Sequence, residues 1–132
     1  WIWEIVKGLI WEQNEKYYNF KISTLNDIHL IEFSEKSFIP FHVDLSENKY
    51  FCTRKIGAVF FLSDLSEYQG GQILFNPEYD NIIMPEDMDT RIIKMIPGRM
   101  VMYPSFQVYQ YLPVTKGKNY ILVAWAHGNS FC

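Results

Sequence analysis

Apolar positions recur with a helical period only at the start of the chain. Ile2, Ile5, Val6, Leu9 and Ile10 fall on one stripe, with Glu4, Lys7, Glu12 and Gln13 largely away from it. This spacing predicts a helix over residues 1–16 that packs one face on a sheet. Trp3 and Trp11 widen the stripe and Gly8 interrupts it. From Tyr17 onward the period drops to two. Tyr18, Phe20 and Ile22 alternate with Asn19 and Lys21, the pattern of a half-buried strand. Ser23 to Asp27 reads as a turn, His29 to Phe33 as a second strand, Ser34 to Ser37 as a turn and Phe38 to Asp44 as a third strand.

Beyond a polar loop at Ser46 to Lys49, the stretch from Arg54 to Ser63 is apolar enough for a central strand. Asp64 to Gln69 is loop-like, Gly70-Gly71 marks a break, and Gln72 to Phe75 returns to strand. Residues 76–90 are acidic and turn-rich and read as an irregular insertion or lid. Further strands are predicted at Arg91 to Ile96, Arg99 to Tyr103, Gln107 to Leu112 and Asn119 to Ala126. They are separated by a tight turn at Pro97-Gly98, a turn at Pro104-Ser105 and a hairpin loop at Thr115 to Lys118. One helix followed by eight to nine short strands predicts a mainly β protein, an antiparallel sandwich or barrel. No repeat or linker divides the chain, so residues 1–132 read as a single domain.

Composition narrows the function classes. Hydrophobic residues make up 48% of the chain, aromatics 17% and charged residues 20%, with a net charge of −3. That excludes a basic nucleic-acid binder and a disordered chain. No apolar run approaches the ~18 residues of a spanning helix, so no membrane partner is expected. Trp1-Ile2-Trp3 carries no basic region and does not resemble a signal peptide; a trimmed N-terminus is the expectation. Cys52 and Cys132 form neither a disulfide framework nor a zinc spacing, which favours a reducing, cytoplasmic setting.

The candidate chemistry centres on His42-Val43-Asp44. Residues two apart on a strand share a face, so imidazole and carboxylate can hold adjacent positions on one metal ion, as in non-haem Fe(II) facial sites. A surface His beside a turn Asp accounts for the same three residues. Tyr103, Tyr111 and Tyr120 lie near the predicted mouth, where a hydroxyl can meet a carboxylate or simply pack. Gly70-Gly71 precedes no helix, so it reads as a bend rather than a phosphate cradle. Glu78, Asp80, Glu86, Asp87 and Asp89 lack EF-hand spacing and read as a solvated loop. Arg91 and Arg99 read as exposed strand residues, Asp64 as a turn former, and Trp125 as barrel packing.

Several stretches together resemble the 2-oxoglutarate- and Fe(II)-dependent oxygenases of the prolyl-4-hydroxylase-like branch. They are His42-Val43-Asp44, Leu62-Ser63-Asp64 with Tyr68 to Phe75, Pro97 to Ser105, Pro113 to Gly117, and Trp125-Ala126-His127-Gly128, so the resemblance covers about Phe33 to Gly128. It implies a double-stranded β-helix, or jelly roll, with Fe(II) and 2-oxoglutarate as cofactors and ascorbate as an optional reductant. It implies hydroxylation of a peptidyl or amino-acid side chain such as proline, with a peptide or small molecule as substrate. By resemblance, His42 and Asp44 are metal ligands.

Two positions depart from the family pattern. A second His ligand is expected four residues before Pro113, where Tyr109 stands; a basic cosubstrate anchor is expected two after Gly117, where Asn119 stands. Phe33 replaces a Tyr that often contacts the cosubstrate. By resemblance, Tyr109 is a conditional third ligand, and Lys118, Asn119 and Tyr103 are conditional cosubstrate contacts. Period-two alternation aims Lys118 at the face opposite Asn119 unless a bulge intervenes. Three readings stay open: an oxygenase with an altered site, a degenerate oxygenase serving as a binding module without turnover, and a structural β-domain.

Overall fold

The computed structural model describes residues 1–45, 51–76, 92–93 and 95–129. The expectations for Ser46 to Lys49, for the acidic residues Glu78 to Asp89, for Arg91 and for Cys132 lie outside the described residues.

The chain opens with a helix, α1, at Ile2–Gln13, followed by one π-helical turn at Asn14–Tyr18. The expected stripe is half-used: Val6 and Ile10 are buried, while Ile2, Ile5 and Leu9 remain exposed. The strand expected at Tyr18 to Ile22 does not form. The buried Asn14 side chain donates from Nδ2 to the Phe20 carbonyl at 2.9 Å and accepts from the Phe20 N–H at 3.0 Å. Both backbone groups of Phe20 are thereby spent on a side chain instead of a ladder. Asn19 adopts the left-handed conformation that ends the helix.

Among the described residues nine strands follow: β1 Thr24–Phe33, β2 Ile39–His42, β3 Arg54–Phe61, β4 Tyr68–Gly70, β5 Ile73–Asn76, β6 Met100–Pro104, β7 Val108–Tyr111, β8 Val114–Gly117 and β9 Asn119–His127. They form a four-stranded sheet in the order β1-β9-β3-β6, a three-stranded sheet β2-β7-β5 and a pair β4-β8, all antiparallel. β1 takes in all but Ser23 of the turn expected at Ser23 to Asp27. The hairpin loop expected at Thr115 to Lys118 is largely strand, because Gly117 and Lys116 pair with Tyr68 and Gln69. The strand expected at Arg91 to Ile96 reduces, among the described residues, to an Ile92–Leu74 bridge and an Ile93 N–H to Ile73 carbonyl bond.

Period-two alternation gives the large sheet two working faces. One carries Ile56, Ala58, Ala124 and Ala126 against Val6 and Ile10 of α1. These alanines are small enough for the helix to lie close to the sheet. The other face carries Val59, Phe61, Ile121 and Val123, which meet Tyr109 and Tyr111 of β7, Ile73 of β5 and Val114 of β8. This second cluster fills the barrel, and the candidate site sits at its open end.

Candidate metal and cosubstrate site

β2 is four residues long, and its register with β7 slips by one between Ile39 and His42. Ile39 pairs with Tyr111 and His42 pairs with Tyr109, so one extra residue is accommodated at Pro40-Phe41. Such a bulge re-aims the side chains that follow it. Phe41 is turned outward, 43% exposed, and His42 faces the barrel mouth. Asp44 lies just beyond the strand end. Its segment is held by the Leu45 N–H donating to the Ser105 carbonyl at 3.0 Å. Ser105 in turn donates from Oγ to the Arg54 carbonyl at 2.6 Å.

His42 and Asp44 therefore meet as expected, through a bulge and a bend rather than plain alternation. His42 Nε2 is 3.6 Å from Asp44 Oδ1. His42 Nδ1 lies 2.9 Å from the Pro40 carbonyl oxygen. That oxygen can only accept, so Nδ1 carries a proton, and Nε2 of the neutral ring points its lone pair toward the carboxylate. Contact with Asp44 holds the imidazole above its ordinary pKa, against the opposing effect of burial.

Asp44 is 7% exposed and is a hub. Oδ2 accepts from the Tyr103 hydroxyl at 2.7 Å and from Trp125 Nε1 at 3.0 Å; Oδ1 accepts from the Tyr109 hydroxyl at 2.8 Å. Burial alone pushes the carboxyl up, but contact with His42 and the bonds from Trp125, Tyr103 and Tyr109 outweigh it and leave the pKa below the usual value. The tyrosines move the other way. Burial first, then neighbouring charge and phenols, pushes Tyr103 and Tyr109 far above the ordinary phenol value. Both stay protonated at neutral pH and act as donors.

The mouth is a cavity of about 450 Å³ whose wall includes His42, Asp44, Tyr109, Ile39, Val123 and Trp125. The Arg54 guanidinium also lines it, stacked 4.0 Å from the Trp125 ring and 4.2 Å from Phe51. Sequence reasoning missed Arg54 and assigned Trp125 to packing. Trp125 is an inward residue of β9, on the same face as Asn119, Ile121 and Val123, and its indole N–H serves the carboxylate.

The cosubstrate expectations resolve differently. Lys118 is corrected: its ammonium is exposed and pairs with Glu32 at 3.3 Å on the outer side of the β1–β9 pair. The alternation argument holds there. Asn119 points inward, is 1% exposed, and its Nδ2 has no hydrogen-bond partner. A Cβ added at Gly71 would come 2.9 Å from Val114 and 3.8 Å from that Nδ2, so the glycine keeps space open beside the amide. The Tyr103 hydroxyl donates to Asp44 Oδ2 at 2.7 Å. Phe33 stacks on Tyr111 with centroids 5.0 Å apart and offers no donor.

Two lone-pair donors 3.6 Å apart can both reach one ion at bonds of about 2.0–2.2 Å, so His42 and Asp44 fit a divalent cation. Tyr109 stands across from His42 with ring centroids 4.4 Å apart, where a third ligand is expected, but it presents a neutral phenol. Its hydroxyl donates to Asp44 Oδ1 at 2.8 Å. No group of three His, Cys, Asp or Glu side chains converges among the described residues. Asn119 carries one unpartnered buried amide donor and no charge, and it is not among the residues that line the His42–Asp44 cavity.

Comparison with known proteins shows what the chain is similar to. No family model matches the chain. A PKHD-type hydroxylase of Nitrosomonas europaea is 32% identical over 89 residues, covering 64% of this chain and 35% of that protein. A Pseudomonas putida prolyl-4-hydroxylase superposes with a TM-score of 0.72 at 16% identity, covering 97% of this chain and 65% of that one. The chain is thus similar in part of its sequence to a PKHD-type hydroxylase and in its fold to a prolyl-4-hydroxylase. A Trichoplax adhaerens prolyl hydroxylase, solved in complex with a hypoxia inducible factor oxygen degradation domain peptide fragment, superposes with a TM-score of 0.67 at 17% identity. It covers 92% of this chain and 52% of that one. The expected jelly roll is borne out. The chain spans about a third of the length of the curated relatives it matches.

Proposed function

We propose that this chain is the catalytic jelly roll of an Fe(II)- and 2-oxoglutarate-dependent hydroxylase acting on a peptidyl or amino-acid side chain such as proline. The observation that carries the reading is the His42–Asp44 pair: a lone pair and a carboxylate oxygen face each other 3.6 Å apart at the mouth of a cavity. Iron and a 2-oxo acid, when bound, would let dioxygen act as the oxidant: one oxygen atom would enter the C–H bond to give the alcohol, and the other would enter the 2-oxo acid as it loses carbon dioxide and becomes a carboxylic acid.

The protein's own residues do the rest. His42 and Asp44 hold the metal, and the Pro40 carbonyl fixes the imidazole so that Nε2 is the ligating nitrogen. Ile39, Val43 and Val123 give the cavity an apolar wall suited to a prolyl ring, and the Arg54 guanidinium, stacked on Trp125 and Phe51, adds a positive charge beside it. The unpartnered Asn119 amide, buried inside the barrel, is the donor assigned to the far end of the cosubstrate. A neutral amide replaces a charge-assisted bond of about 1.5–3 kcal/mol, so cosubstrate affinity is weaker than an Arg or Lys would give. A peptide substrate accords with the peptide carried by the Trichoplax relative. A cytoplasmic setting accords with the sparse cysteines.

One observation favours a second reading, a cleft that binds a partner without turnover. Both Asp44 oxygens already accept hydrogen bonds, and a protonated phenol stands where a third ligand is expected. Succinate formation from 2-oxoglutarate separates the two. The hydroxylase reading expects turnover, even uncoupled from substrate, that drops to background in Asp44→Asn. A folded protein forming no succinate at saturating iron and 2-oxoglutarate leaves the binding-module reading.

A further inference from the structure

Asp44 receives more hydrogen bonds than a ligating carboxylate needs, and they divide cleanly between its two oxygens. On Oδ2 converge two donors from different strands, Tyr103 on β6 and Trp125 on β9. On Oδ1 there is one, Tyr109 on β7, and this is also the oxygen facing His42 Nε2. Each hydroxyl has a single proton. The shorter contacts to the carboxylate, 2.7 and 2.8 Å, take both protons, so the Tyr103–Tyr109 oxygen pair at 3.1 Å is a contact and not a competing bond.

The fold builds for this arrangement. Tyr103 lies opposite Gly57, where a Cβ would come 2.5 Å from the tyrosine ring. Only a residue without a side chain lets the ring lie flat and its hydroxyl reach Asp44. Phe75 packs against both tyrosine rings, and Arg54 stacks on the Trp125 ring.

We propose that the Asp44 oxygens have separate tasks: Tyr103 and Trp125 pin Oδ2 and so aim the carboxylate, while the Tyr109 hydroxyl caps Oδ1 and is displaced by the cation that binds there. The inference rests on His42 and Asp44 being the metal pair. Tyr103 and Trp125 are positioning residues. Removing either loosens a ligand, which typically costs 10–100-fold in metal affinity. Tyr109 acts in the opposite sense, because the cation must break its bond to Oδ1. One charge-assisted hydrogen bond released in advance raises affinity by about tenfold.

The test is titration of chelator-stripped protein with Co(II), read by visible absorption and by tryptophan emission, for wild type, Tyr103→Phe, Trp125→Phe, Tyr109→Phe and His42→Ala. The expected result is weaker binding, by about tenfold or more, in Tyr103→Phe and Trp125→Phe, tighter binding by about tenfold in Tyr109→Phe, and loss in His42→Ala. A merely structural cluster shifts all three hub variants in one direction, in step with their unfolding midpoints. That result overturns the inference while leaving the metal pair standing, provided His42→Ala still abolishes binding. If neither wild type nor Tyr109→Phe takes up Co(II), the metal reading falls and the inference with it. Wild type supplies a second readout independent of variant folding. Displacing the cap changes a buried tyrosine's surroundings, so Co(II) must produce a tyrosine difference spectrum that saturates with the visible band. Saturation without one overturns the proposal.

Discussion

Asp44 shows how far a single residue can be read from sequence. Its place beside His42 follows from two positions of spacing, and its burial follows from neither. The donors that hold it come from Tyr103, Tyr109 and Trp125, which are 59, 65 and 81 positions away. Nothing local marks those residues as hydrogen-bond donors to one carboxylate, and an inward Trp at a strand end reads equally well as packing. Gly57 is equally silent in the sequence. It sits inside an apolar strand, where glycine signals only a weak spot or a close approach. The contact with Tyr103 makes it specific: Gly57→Ala forces the ring aside. The expected cost is about 1–3 kcal/mol of stability from overpacking, together with weakened metal binding because Tyr103 loses its reach. Urea denaturation checks the first and Co(II) titration the second; an unchanged midpoint contradicts the packing argument.

At the scale of elements, periodicity found most strands and failed where side chains or tertiary pairing intervened. Tyr18 to Ile22 alternates as a strand should, yet Asn14 captures the Phe20 backbone first. Thr115 to Gly117 is polar enough for a loop, yet β4 recruits it into a ladder. The bulge in β2 left no sequence signal beyond Pro40, although it is what turns His42 into the mouth. Asn14 offers the direct test at this scale. Asn14→Ala removes the two part-buried hydrogen bonds between the Asn14 side chain and the Phe20 backbone, so the expected loss is about 1–3 kcal/mol. The helix–sheet junction frays before the barrel. Hydrogen exchange resolves this: protection falls across residues 14–22 while β3 and β9 stay protected. Uniform loss of protection contradicts the claim that Asn14 fixes this junction alone.

At the scale of the whole molecule, one sheet serves two cores. Its outer face, lined by alanines, accepts α1; its inner face fills a barrel rich in aromatics. The jelly roll was legible because ordered motifs and turn signals agree along most of the chain. The site was legible only in part, since the fold keeps a His-Asp pair while changing its surroundings to a neutral phenol and a neutral amide. The central claim is that the pair still assembles an iron and 2-oxo acid centre. Anaerobic titration of metal-free protein with Fe(II) and then 2-oxoglutarate, followed by the visible charge-transfer band of the chelate, tests it most directly. The expected result is a band that grows to saturation in wild type and is absent in Asp44→Asn. A protein that retains no iron and develops no band would contradict it, and would leave the cleft as a binding surface built on an oxygenase fold.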